Sequence, residues 1–396
     1  MRQSVLLLFA VVGALCILCS SCRCSEHAGA REAAHQILGS QATLPVQKAA
    51  LLGSESTDPE TLVPLLDASF EATTTEHFVL LHEPDAAYVA GACRTLEYAY
   101  AHFYEVFAHA GFDLSRAKDR LLWICFPQKS GFSKYALRVE GMDLSWLDGY
   151  YSTLTNRVAV VQPDQKARQR EEMPGLSKNE AAVAVAAHRS PHEGVGAGLP
   201  SAENRTWGPS QAQNAALRHP VLAMSAVGQR FDVTRLTHEV AHQLSFNSGI
   251  QKRGVMYPLW VSEGLATNFE FDGSGTAGLD HCNTARCKGL LEAYAAGQLV
   301  PLREFVVQTT VPPDTHVGRR YYAQAWGFFQ FILTERPENL RAYLYRLAED
   351  HPEHRHASTM LNEFIEAFGS PETLELSWNA FLAHQAQEIS STRSAP

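Results

Sequence analysis

His238, Glu239 and His242 stand in the pattern His-Glu-x-x-His, and Glu263 follows within Trp260-Val261-Ser262-Glu263-Gly264-Leu265-Ala266. On a helix, positions i and i+4 share a face, so the two imidazoles can point at one cation. Two imidazoles and a carboxylate make a three-ligand site for a single zinc ion, with the fourth position open to solvent or substrate. Glu239 sits beside the first histidine, where a carboxylate can take the proton of an attacking water. The chemistry this predicts is hydrolysis of an amide.

Such chemistry needs two helices. Asp232 or Thr234 can cap the start of the first, because a short side-chain oxygen satisfies free N–H groups. Asn247-Ser248-Gly249 supplies its stop. Leu236, Val240 and Leu244 repeat every four residues and predict an apolar stripe away from the histidines, which would leave the His-bearing face on a cleft. Pro258 opens a second run, Leu259 to Phe271, with Trp260, Leu265 and Phe269 at helical spacing. Glu263 lies inside that apolar surround, where an acid is costly to bury unless it is paired or binds a metal. A surface glutamate, or one pairing with Arg253, is the plainer alternative.

Further on comes Tyr321-Tyr322-Ala323-Gln324-Ala325-Trp326. The order His-Glu-x-x-His, Trp-x-x-Glu-Gly-Leu-Ala and then this tyrosine phrase resembles the gluzincins, the thermolysin-like and aminopeptidase-like zinc metallopeptidases. Within them it is most similar to an uncharacterised family of bacterial exported proteins. The resemblance spans about residues 70–165 and 230–385. It implies a tyrosine across the cleft that donates to the developing oxyanion; Tyr322 is the better match and Tyr321 the fallback. It also implies an acid one turn after the third ligand that orients a bound histidine. That position is Thr267 here, which leaves Asn268, Glu270 or a backbone carbonyl for the role.

The chain has 396 residues, 45% of them hydrophobic, enough for a large core and, by length, for two domains. Its net charge of −9, without a basic block, argues against a nucleic-acid partner. Arg2 and the apolar run Val5 to Cys19 read as an export signal, too short to span a membrane comfortably. Processing is ambiguous between Ala28-Gly29-Ala30 and a lipid anchor at Cys22. Either way the folded part is expected to be secreted, periplasmic or membrane-anchored. Oxidising surroundings permit disulfides. Cys282 and Cys287 flank a loop-like stretch that a bridge could close, whereas Cys93, on a helix, and Cys125, in a strand, read as two buried thiols or a long-range bridge.

The expected fold class is α+β and zincin-like: a mixed α/β half, then a mostly helical half, with the active-site cleft between them. The organisation reads as a signal over 1–24, an N-terminal arm over 25–70, the α/β half over 71–165, a low-order insertion over 166–230 and the helical metal-binding half over 231–390. Strands are expected at His77–His82 and Arg120–Phe126, helices at Ala86–Ala108 and Ser130–Val139, and a hairpin at Gly149–Thr153 and Val158–Gln162. One hairpin strand could pair with an extended peptide substrate; the sequence does not say which. Later helices are expected at Trp326–Thr334, Glu338–Glu349, Ser358–Phe368 and Pro371–Gln387. Arg319 and Arg320 read as exposed loop arginines. His351, His354 and His356 read as a loop, with a second metal site as the alternative.

The function expected is an exported zinc metallopeptidase, more endopeptidase than aminopeptidase, because no Gly-x-Met-x-Asn-like amine-binding motif is present. A binding protein that keeps a zincin scaffold without catalysis, or a zinc amidase acting on cell-wall peptides, are the competing readings. Substrate preference and oligomeric state are not written in the sequence.

Overall fold

Runs of consecutive apolar residues such as Leu121–Phe126 are what a strand buried on both faces requires. Such a strand needs neighbours on each side and a layer above and below. The computed structural model supplies them. It describes residues 58–394 apart from 64–65, 67–68, 142, 163–232, 272–283, 313 and 350–354. In chain order the first half contains α1 (Pro59–Leu62), β1 (Glu71–Thr74), β2 (Phe78–His82), α2 (Ala86–His109), β3 (Leu121–Phe126), α3 (Lys129–Glu140), β4 (Gly149–Ser152) and β5 (Arg157–Val161). The second half contains α4 (Val233–Asn247), α5 (Leu259–Asn268), α6 (Thr284–Ala295), α7 (Leu302–Phe305), α8 (Thr315–Glu335), α9 (Pro337–Glu349), α10 (Ala357–Phe368) and α11 (Pro371–Ser394). The fold class is α+β: an N-terminal mixed α/β half packed on a mostly helical C-terminal half.

The sheet order is β1-β2-β3-β5-β4. β2, β3 and β5 run parallel, and the outer strands β1 and β4 are antiparallel to their neighbours. Side chains alternate between two faces. Phe78, Leu80, Trp123, Cys125, Tyr151, Val158 and Val160 join the larger core with α2 and α4. Val79, Leu81, Leu122, Ile124, Tyr150 and Ala159 join a smaller core under α3. Of the two hairpin strands, β5 is internal and β4 is the edge.

In the helical half, Trp260 on α5 is fully buried. It lies edge-on to Phe328 (5.1 Å between centroids) and stacks on Tyr343 at 6.0 Å and 10°, so α8 and α9 form the wall behind α5.

Several expectations are corrected. β1 was not foreseen; its exposed Glu-Ala-Thr-Thr sequence carries no apolar alternation. α8 starts at Thr315 rather than Trp326, because Asp314 caps it by accepting from the backbone N–H groups of His316 and Val317. Arg319 and Arg320 therefore lie on a helix, not a loop, and Arg320 donates to Gln298 at 3.2 Å. Residues 284–287, read as loop, open α6. Cys287 carries a buried free thiol in the main core; Cys282, the other half of the expected bridge, lies outside the described residues. Cys93 and Cys125 are also free thiols, on a helix and a strand as expected. The export signal, Cys22, Ala28-Gly29-Ala30, the 166–230 insertion, His351 and His354 lie outside the described residues. Among the described residues no helix is long and apolar enough to cross a membrane.

Candidate metal centre

α4 runs to Asn247 and stops where Gly249 takes a left-handed backbone, φ 89°. Every residue from Leu236 to Ser245 is buried. The helix is therefore closed on all sides rather than apolar on one face and open on the other, because α5 and the residues following it cover the histidines. Thr234, considered as a cap, instead lies within the first turn and donates to the carbonyl of Phe271 at 2.6 Å.

The polar residue after the motif, Gln243, joins this helix to the sheet. Its amide nitrogen donates to the carbonyls of Leu122 and Asn156, and its oxygen accepts from the indole N–H of Trp123 at 2.9 Å. Asn247 and Asn156 exchange side-chain hydrogen bonds one turn later. Asn156 sits at φ 58°, a conformation that asparagine tolerates better than most residues.

α5 is held by close packing instead. A Cβ on Gly264 would lie 2.6 Å from the carbonyl oxygen of Ala325 and 2.8 Å from Cβ of Phe329. Only a glycine lets α8 approach the turn that carries Glu263 so closely. Thr267, the position where an orienting acid was expected, donates to its own helix carbonyls at Glu263 and Gly264. Asn268 bonds to carbonyls of Gly264 and Trp326.

These two helices bring His238, His242 and Glu263 together, all fully buried, with candidate ligand atoms within 4.8 Å of one another. The two Nε2 atoms lie 3.1 Å apart. Glu263 offers one oxygen to each ring, at 3.5 Å from His238 and 3.7 Å from His242. A tetrahedral ion bonded at about 2.0–2.1 Å holds its ligand atoms roughly 3.3–3.4 Å apart, so the cluster has the dimensions and donor set for a divalent cation.

Of the three candidates for an orienting partner, Glu270 is the one that meets a histidine of the cluster. Its carboxylate meets Nδ1 of His238 at 2.9 Å, which leaves Nε2 directed at the cluster. Arg286 grips Glu270 with two bonds, Nε to Oε2 at 2.9 Å and a terminal nitrogen to Oε1 at 3.0 Å. Burial would push the Glu270 carboxyl up, but Arg286 and His238 outweigh it and hold it down at about 2. Burial disfavours charge on His238, but hydrogen bonds to Glu263 and Glu270 reverse this and raise it; burial lowers His242. Deep burial, opposed by His238 and reinforced by Glu263, raises the Glu239 carboxyl to about 7. The backbone N–H of Tyr151 on β4 opposes that rise slightly, and α4 packs on this edge strand.

Both tyrosines are buried on α8. The Tyr321 hydroxyl donates to the carbonyl of Phe305 at 3.3 Å, although its ring also senses the charge of Glu263. The Tyr322 ring lies under Arg286, 5.2 Å from guanidinium carbon to ring centroid. Arg286 is the residue that sequence reasoning missed. Leu290, Leu291 and Tyr294 at helical spacing after Thr284 were the available signal that it stood on a helix.

No curated protein matches the chain. Residues 232–354, under a third of its length and containing every residue of the cluster, are similar to a family described as "Protein of unknown function (DUF1570)".

Proposed function

We propose that the chain is an exported zinc metallopeptidase that hydrolyses peptide bonds, with His238, His242 and Glu263 as the ligands of one zinc ion. The observation that carries this reading is the spacing of 3.1, 3.5 and 3.7 Å among the three candidate ligand side chains, with Glu239 beside them in the same buried turn. A zinc ion bound there supplies Lewis acidity, polarising a carbonyl and acidifying water.

The protein's own groups do the rest. Glu239 takes a proton from the attacking water and later passes it to the leaving amine. A positioned carboxylate can accept a proton in the first step and release it in the second. Tyr322 donates its hydroxyl to the oxyanion. It is preferred over Tyr321 as the better match to the tyrosine phrase of the resembled family. β4 pairs with the backbone of an extended substrate, because it is the sheet edge that packs against the helix carrying Glu239. Pairing through the backbone favours unfolded segments over a defined side-chain sequence.

The test is metal content together with cleavage of unstructured casein, with and without a chelator. Glu239→Gln should retain zinc and lose hydrolysis by about 10²–10⁴-fold. Full activity in that variant would remove Glu239 from the mechanism. Bound zinc with no cleavage of casein or of broad peptide libraries would favour the binding-protein reading; cleavage confined to cell-wall peptides would favour the amidase.

A further inference from the structure

Arg286 makes two contacts that belong to different parts of the centre. On one side it forks onto both oxygens of Glu270, at 2.9 and 3.0 Å, and Glu270 in turn holds Nδ1 of His238. On the other its guanidinium lies 5.2 Å from the centroid of the Tyr322 ring. The Arg286 side chain is 14% exposed and Glu270 1%, so neither contact is a solvated surface pairing. A guanidinium can satisfy both at once: its donors lie in one plane and match a carboxylate in pairs, while the face of that plane rests on an aromatic ring. An ammonium group can meet a ring but lacks the planar fork that would grip the carboxylate at the same time. Helix α6 delivers Arg286 from its first turn, and Leu290 and Cys287 on the same helix are buried in the main core, which fixes the direction of approach.

We infer that Arg286 is a positioning residue that sets His238, through Glu270, and Tyr322 with a single guanidinium, so that metal affinity and the placement of Tyr322 are coupled. This rests on the metal-centre reading above. If Glu270 can pivot, the His238 ring loses its fixed direction, and the cation loses a preorganised ligand. If the Tyr322 ring is removed, the guanidinium loses the aromatic contact that helps to hold it at Glu270. The coupling therefore runs both ways: a change on α8, which supplies none of the three ligands, is felt at the cation.

The experiment measures zinc affinity of the full chain by chelator competition, with the visible spectrum of the cobalt(II)-substituted protein as a second readout. Arg286→Lys keeps the charge but loses the fork and the stacking; it should weaken zinc binding about 10–100-fold and alter the cobalt spectrum. Glu270→Gln should do the same, and the double variant should lose no more than the worse single one, because both cut one chain of contacts. Tyr322→Leu should weaken binding several-fold, whereas Tyr322→Phe, which keeps the ring, should bind as the wild type does. A folded Arg286→Lys protein with wild-type affinity and spectrum, or losses that simply add, overturns the inference. If Arg286→Lys does not fold, the Tyr322 pair decides: equal affinity of the Leu and Phe variants overturns it, and a difference supports it. Zinc binding without hydrolysis by the wild type defeats the peptidase reading and leaves this inference standing. No zinc binding by the wild type defeats both.

Discussion

α4 and α5 each contribute to the same cluster of candidate ligands, yet the contacts that chiefly anchor them differ in kind. α4 is attached to the sheet by polar side chains that satisfy backbone groups, chiefly Gln243 reaching Leu122, Asn156 and Trp123. α5 has no comparable polar tie to the sheet among the described contacts. It is held chiefly by the bulk of Trp260 and by the absence of a side chain at Gly264, with one side-chain bond from Asn268 to the carbonyl of Trp326 on α8. The difference teaches that the motif residues which are not ligands still specify the site. In one helix they encode a hydrogen-bonded register; in the other they encode a distance between helix axes.

That contrast can be broken from either side. Trp260→Ala deletes the ring against which Phe328 and Tyr343 pack and should cost about 3–5 kcal/mol of stability, read by denaturant unfolding. A loss below about 1 kcal/mol would mean that α5 is held by something other than this aromatic contact. Gly264→Ala drives a methyl group to 2.6 Å from the Ala325 carbonyl. It should cost about 1–3 kcal/mol and weaken zinc binding as well, because the adjacent Glu263 must move with the backbone. Stability unchanged by that methyl would show that the crossing of α5 and α8 is loose. Gln243→Met conserves size and removes the polar tie. It leaves a buried indole N–H and two carbonyls wanting partners, for about 1–3 kcal/mol. Its signature is a changed Trp123 fluorescence with the zinc ligands intact. If Gln243→Met is neutral and Gly264→Ala is not, the site depends on the helix crossing alone.

The parts of this arrangement that could be read from the sequence are those with a fixed local period. His238, Glu239 and His242 share one helical turn and needed no knowledge of the fold. Glu263 was recognisable because an acid in an apolar helical run is costly unless it has a partner. The central strands and the long helix α2 were plain from unbroken apolar runs and helical spacing. What sequence reasoning left open or missed depends on tertiary contact. Glu270 was one of three candidates until its carboxylate was seen on His238. Arg286 was missed because Cys282 and Cys287 drew attention to a loop and a bridge, while the start of α6 went unread. β1 was missed because an exposed edge strand has no apolar face to display. The early start of α8 depended on one capping aspartate, Asp314.

The most direct test of the central claim is an anomalous-difference map at the zinc absorption edge, from crystals of the zinc-loaded protein. A single peak about 2.0–2.1 Å from an imidazole nitrogen of His238, an imidazole nitrogen of His242 and a carboxylate oxygen of Glu263 is the predicted result. A map with no peak among these three side chains, or with zinc held elsewhere by other residues, would contradict it.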